Sequence, residues 1–216
     1  MISLVSVNVG APREVSLENG RKLLTAFLRE PVDRKIFLDY TGLEGDQVAD
    51  PVNHGGRDKA VCAYPSDHFP YWEGALSRQM EPGAFGENLT LQGLTEDRVH
   101  VGDIFRVGEA EIQCSQPRQP CHKITKIYGF PKMAGKIQEQ GYSGFYFRVL
   151  KQGWMQAGME IHPVQSDPAG ISIDDINRLM YRDKNNVEEI ERLLAHPALS
   201  QSFAQFFQKR LANRSS

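Results

Sequence analysis

The stretch Arg98-Val99-His100-Val101-Gly102-Asp103-Ile104-Phe105-Arg106-Val107-Gly108-Glu109-Ala110-Glu111-Ile112-Gln113-Cys114 decides the fold class. Apolar residues alternate with polar ones in short runs, and Gly102-Asp103 and Gly108-Glu109 interrupt them. Alternation puts every second side chain on one face of a strand, and glycine next to a polar residue is turn chemistry. The stretch therefore predicts three short strands, over 98–101, 103–107 and 109–114. The same pattern extends in both directions. Upstream, Ile2, Leu4, Val5, Val7 and Val9 make an opening strand that stops at Gly10-Ala11-Pro12. Asn19-Gly20 signals a hairpin, so 22–28, which fits either strand or helix by period, is read as strand. Further strands are predicted at 35–38, 59–64 and 88–91, and downstream at 144–150 and 159–164. Many short strands separated by Gly, Asn, Asp and Pro indicate a mainly β barrel or sandwich, not a doubly wound α/β sheet.

Short helices are interspersed. Ser66 to Ser77 is predicted as one, with Ser66 as its N-cap, and 124–127 and 131–140 as two more. The character changes at Ser166-Asp167-Pro168-Ala169-Gly170, which reads as a linker between a barrel domain, 1–165, and a helical domain, 170–216. Ser172 and Asp175 have capping-box spacing. Ile173, Ile176, Leu179 and Met180 then form one apolar face. Val187, Ile190, Leu193 and Leu194 form a second, and Leu199, Phe203, Phe206, Phe207 and Leu211 a third. A three-helix unit this small is marginal alone, so it is expected to pack on the barrel or on a second subunit in a homodimer.

The chain has 216 residues, 40% of them hydrophobic and 24% charged, with a formal net charge of −2. That balance argues against a dedicated nucleic-acid binder, which carries a basic excess. Met1 to Gly10 lacks the basic start of a signal peptide, and no run approaches the roughly 20 apolar residues of a membrane span. The default expectation is a cytoplasmic protein with no membrane partner. Three cysteines, Cys62, Cys114 and Cys121, do not suggest a disulfide framework. Cys62 lies in an apolar run and Cys114 ends an alternating strand, so both read as buried, structural residues.

Cys121 is different. It sits in Ser115-Gln116-Pro117-Arg118-Gln119-Pro120-Cys121-His122-Lys123, after a strand and before a helix. A thiol beside Arg118, His122 and Lys123 is expected to ionise readily, which suits a nucleophile or a soft-metal ligand. Asn53-His54-Gly55-Gly56-Arg57-Asp58-Lys59 can present backbone N–H groups to an anion, with Arg57 or Lys59 adding charge. It lacks the Walker A spacing. Thr41-Gly42-Leu43-Glu44-Gly45-Asp46 and Pro82-Gly83-Ala84-Phe85-Gly86-Glu87-Asn88-Leu89 are polar, glycine-rich loops, and Asn88 suits either a heterocycle or a turn cap. Arg148, alone in an aromatic strand, either reaches solvent or clamps an anion. Cys114, Cys121 and His122 lack structural-zinc spacing.

Taken in order, Gly42 to Asp46, Val52 to Val61, Gly83 to Thr90, Val101-Gly102-Asp103, Gln116 to Cys121 and Gly141 to Val149 resemble the MOSC family, named for the C-terminal part of molybdenum-cofactor sulfurases. The likeness is greatest to its small free-standing YiiM-like members, which carry a similar helical tail. The resemblance implies a β-barrel that binds molybdenum cofactor (molybdopterin), with Cys121 as the protein sulfur ligand to the metal. It implies that Cys121, His54 and Lys59 take part in the chemistry. Gly55, Gly56, Lys59, Arg118 and Arg148 would then receive the phosphate and the pterin edge, while Asp46, Asn88 and His54 orient pterin or substrate. It further implies reduction of N-hydroxylated compounds, such as N-hydroxylated purine bases, with an external flavin or iron–sulfur reductase returning the electrons. Alternatives are a cofactor-binding or sulfur-carrier protein without turnover, a cysteine-nucleophile hydrolase with His54 or His122 as base, and nucleic-acid binding by the tail.

Overall fold

A computed structural model describes residues 1–17, 20–48, 55–120 and 122–214. The first strands are β1 (Ile2–Val9), β2 (Arg13–Ser16), β3 (Lys22–Thr25), β4 (Glu30–Pro31), β5 (Ile36–Asp39) and β6 (Gly42–Leu43). A 3-10 turn at Arg57–Lys59 precedes β7 (Val61–Pro65), and a second at Ser66–His68 leads into helix α1 (Phe69–Leu76). There follow β8 (Leu89–Gln92), β9 (Ile104–Val107) and β10 (Ala110–Pro117), helices α2 (His122–Tyr128) and α3 (Met133–Gln140), and strands β11 (Phe145–Lys151), β12 (Gly153–Met155) and β13 (Glu160–Gln165). Helices α4 (Ile173–Tyr181), α5 (Val187–Leu194) and α6 (Gln201–Ala212) end the chain.

The strands pair in the order β13-β9-β10-β11-β7-β8-β1, and β1 pairs back to β13, closing a seven-stranded barrel. Closure removes the unpaired edges of an open sheet. All pairings are antiparallel except β7 with β8, which are joined through α1. β7 is buried along its whole length because both of its faces are covered. Val61 and Ala63 point into the barrel core, whereas Tyr64 joins an outer cluster with Trp72, Phe85 and Ile124. β11 alternates in the same way. Phe145, Phe147 and Val149 face inward, leaving Tyr146 and Arg148 on the outer face.

The helical tail is not a separate globule. Ile173, Ile176, Leu179, Ile190, Leu193, Phe203 and Phe207 belong to the same buried cluster as the barrel interior. Its first helix starts where the capping signal places it, with Ser172 and Asp175 forming the full capping box; the structure adds Asn186 and Ser200 as the caps of α5 and α6. Among the described residues, no helix is long and apolar enough to cross a membrane.

Three local expectations change. Residues 98–101 are a turn rather than a strand. Asp103 accepts the His100 N–H at 2.9 Å and curls the segment, which instead brackets the entry to α4 through Val101 N–H to Ile171 O and Ile173 N–H to Val99 O, both 3.0 Å. The strand expected over 22–28 ends at Thr25, whose Oγ1 accepts the Phe27 N–H at 3.0 Å and so competes with the ladder. Ser66 does not cap a helix: its hydroxyl donates to Leu91 O, and α1 begins three residues later, with proline in its first turn. The Asn19-Gly20 hairpin joins β2 to β3, with Asn19 itself outside the described residues.

Candidate functional site

Tyr146 on β11 lies directly opposite Cys62 on β7, so both side chains leave the barrel on the same face. They open into a cavity of about 140 Å³. Thr25, Ala26 and Phe27 bound it where β3 ends, Gly42, Leu43 and Asp46 where β6 ends, and Gly86 and Asn88 ahead of β8. Gly55 and Lys59 enter from the 3-10 turn. Arg118 and Lys123, on either side of position 121 in the sequence, line it as well, as does Arg29. Gly86 is required there: its φ is +67°, and a Cβ would stand 2.8 Å from the Phe27 carbonyl oxygen and ring.

Five residues expected to act together from the sequence, Asp46, Gly55, Lys59, Asn88 and Arg118, thus share one cavity. Their roles divide sharply. Asp46 Oδ1 accepts from Arg29 Nε at 2.8 Å and from Gly10 N–H at 2.9 Å, while Oδ2 accepts from Arg29 Nη2 at 2.8 Å and Asn88 Nδ2 at 2.9 Å. Asn88 Oδ1 accepts the Cys62 N–H at 3.1 Å. Both polar side chains are therefore committed to the protein. They hold Arg29, whose third nitrogen donates to Gly86 O, in a bidentate ion pair with side chains only 10% exposed. Burial alone would lower the Arg29 pKa, but the hydrogen bond and charge of Asp46 raise it.

Arg118 is held differently. Its backbone N–H donates to Gly144 O at 2.9 Å and its guanidinium lies 5.7 Å from the Phe27 ring centre. It is buried, yet among the described residues no carboxylate stands within ion-pair distance of it. Burial penalises its charge and Cys62, Tyr146 and Glu87 oppose that penalty wherever they are ionised, but a guanidinium stays a cation across the physiological range in any case. Burial also pushes the Cys62 thiol above its usual range against the pull of Arg118 and Arg29, which keeps it protonated at neutral pH.

Arg148, expected to receive phosphate, is not part of the lining. Its guanidinium is occupied by Asp58 Oδ1 at 3.0 Å, Gln113 Oε1 at 3.1 Å and Ala198 O at 2.8 Å. Gly56 shapes the turn with a φ of +99° but does not line the cavity. Cys121 and His54 lie outside the described residues. Arg29, Phe27 and Tyr146 were not singled out by the sequence, and Cys62, read there as a buried structural residue, is buried but also lines the cavity. Strict alternation through Phe145 and Phe147 carries the signal for Tyr146, but Arg29 has no local signal because its partner is 17 residues away. Arg29 also walls a second cavity, of about 220 Å³, with Arg13, Arg78 and Tyr128, none of them a sequence candidate.

Comparison with known proteins follows the same lines. Residues 50–162 match the MOSC domain and residues 171–214 the YiiM-like 3-alpha helix domain. The chain is 46% identical over 208 residues to the uncharacterized protein YflK of Bacillus subtilis (strain 168), covering 96% of this chain and 94% of that one. It is 30% identical over 183 residues to a Gibberella moniliformis protein named Reductase, covering 82% of this chain and 32% of that longer one. The crystal structure of YiiM from Geobacillus stearothermophilus superposes with a TM-score of 0.84 at 40% identity, covering 98% of this chain and all of that one. The chain belongs to the MOSC domain family, in its YiiM-like branch.

Proposed function

We propose that this protein is a molybdenum-cofactor-dependent reductase of N-hydroxylated compounds, N-hydroxylated purine bases among them. MOSC domains are associated with molybdenum cofactor, and the name of the fungal relative supports a reductase. The observation that carries the reading is Arg118. It is a buried cation with no described carboxylate partner, beside a glycine-lined turn, in a cavity whose own acid and amide are already used. Such a site calls for an anion supplied from outside.

The residues fit the cofactor. Gly55 and Lys59 suit its phosphate, and Arg118 and Lys123 the remaining negative charge. Phe27 and Tyr146 offer flat surfaces to a planar ring. Cys121, between Arg118 and Lys123 in sequence, is the metal ligand in this reading, its thiolate favoured by those neighbours. When bound, the cofactor supplies the two-electron removal of oxygen from an N–OH group. Loss of the oxygen as water consumes two protons along with the two electrons; the chain's part is to bind, to orient and to keep one of them at hand on the Lys59 ammonium, the other coming from solvent. Asp46 and Asn88 act through Arg29, whose position they hold. An external flavin or iron–sulfur reductase returns the electrons.

The test is expression in a host that makes the cofactor, followed by metal analysis and assay with hydroxylaminopurine and a reduced viologen. Wild-type protein is expected to hold molybdenum and turn over. Cys121→Ser is expected to lose activity by roughly 100-fold or more, with metal content lowered. Metal without turnover in the wild type would point to the carrier alternative. Protein that takes up no cofactor in that host would sink both.

A further inference from the structure

The proposed site leaves the three-helix tail without a role, and Arg148 without the one expected of it. The network around Asp58 joins the two. Asp58 lies in the 3-10 turn that brings Lys59 to the cavity. Asp58 itself does not line the cavity, and its carboxylate is gripped from two sides. Arg148 reaches Oδ1 through Nε at 3.0 Å and Nη2 at 2.9 Å. The backbone N–H of Gln201, first residue of α6, donates to Oδ2 at 3.1 Å. The same guanidinium donates to Ala198 O at 2.8 Å, so Arg148 touches both the turn and the tail.

A bulge completes the junction. The β10–β11 register shifts between Cys114 and Gln116, leaving Ser115 as the extra residue. Its hydroxyl is shared between Asp58 O at 2.6 Å and Tyr146 O at 3.1 Å, and its carbonyl, free of the ladder, accepts the Ser200 N–H at 3.1 Å. One carboxylate, one guanidinium and one bulged serine thus fasten the turn to the barrel wall and to the α5–α6 junction together. The turn needs such support. Its flanking glycines permit many conformations, and fixing a loop in its binding geometry removes an entropic cost from ligand binding.

We propose that the C-terminal three-helix unit is a working part of the anion site: through Gln201 N–H and Ala198 O it latches Asp58 and Arg148, and so holds the Gly55–Lys59 turn in its binding conformation. Arg148 and Asp58 are positioning residues. This rests on the reading of that turn as the anion site.

The experiment uses the full chain, cofactor-free, with inorganic phosphate as probe and binding followed by NMR at the Gly55, Gly56 and Lys59 amides. Gln201→Pro is the incisive variant. It removes the N–H that Asp58 accepts from the start of α6, at a helix N1 position that tolerates proline, after a Ser200 whose extended backbone (φ −61°, ψ 146°) suits it. Gln201→Pro and Arg148→Gln are each expected to weaken phosphate binding about five- to tenfold, as coupled positions do. Gln201→Ala, which keeps the N–H, is expected to bind as wild type does. Should Arg148→Gln not fold, the two Gln201 variants decide alone. Binding within twofold of wild type in Gln201→Pro, while Lys59→Ala loses it, overturns the latch and leaves the site standing. Undiminished binding in Lys59→Ala overturns the site and the latch with it.

Discussion

Two arginines of this molecule invite comparison. Arg29, in the cavity wall, has one carboxylate partner among the described residues. Arg178, on α4, has three: Asp175 at 3.5 Å, Asp183 at 2.9 Å and Glu189 at 3.0 Å. Counting bridges would make Arg178 the more important. Burial reverses the order. The Arg29 and Asp46 side chains are 10% exposed, whereas those around Arg178 are 31–40% exposed. Water screens the second cluster and can replace any partner that is lost, whereas it reaches the first only from the cavity side. The cavity pair therefore controls structure at the site, and the tail cluster does little beyond ordering its own surface.

The largest effect that sharpens this contrast is expected from Asp46→Ala. It leaves the Arg29 guanidinium, the Gly10 N–H and the Asn88 amide without their acceptor in a largely buried wall. Breaking a buried pair from one side costs about 3–5 kcal/mol, so urea unfolding should show a loss of that order. A loss below about 1 kcal/mol would mean that water enters the wall readily, and the distinction between the clusters would fail.

These clusters also differ in how far the sequence discloses them. The tail obeys rules that act within a few residues, namely the 3.6-residue period of Ile173, Ile176 and Met180 and the spacing of Ser172 from Asp175. Its helices are therefore legible without a structure. The barrel was readable as short alternating strands, but not where side chains intervene: Asp103 bends 98–101 out of the sheet, and Thr25 ends β3. The cavity depends on pairs 17, 36 and 42 residues apart, between Asp46 and Arg29, Gly10 and Asn88. No local pattern encodes such distances. The family resemblance marked Asp46 and Asn88 as site residues, but it could not show that they serve Arg29 rather than a ligand. It also could not show that Arg148, on the same outer face as Tyr146, reaches across to the tail.

A smaller effect is expected from Arg178→Ala. The three carboxylates it gathers are partly exposed, and median surface pairs are worth about 0–1 kcal/mol. Unfolding by urea should place the variant within about 1 kcal/mol of wild type, with the gap narrowing further at high salt. A gap of several kcal/mol that ignores salt would show that the cluster behaves as a buried network, and would break the comparison from the other side.

The smallest effect concerns the proton carried by Asp175. Its Oδ2 accepts from Ser172 N–H at 3.1 Å and Ser172 Oγ at 2.8 Å, closing the box at the start of α4. Burial alone would raise its pKa, but the Ser172 bonds and Arg178 outweigh that and hold it below the ordinary carboxylate range. A depressed carboxylate is ionised in the folded chain at pH values where the unfolded chain already binds a proton. Its contribution is therefore complete above the unfolded pKa of about 4 and is lost as pH falls through the lower folded value. The stability difference between wild type and Asp175→Asn should accordingly be constant from neutral pH down to about 5 and shrink below about 4. Because the group is partly exposed, the difference should stay under about 1 kcal/mol throughout. Urea unfolding at neutral pH and near pH 3 measures it. A difference that does not change with pH would mean that the helix start needs only a hydrogen-bond acceptor at position 175, with the negative charge contributing nothing.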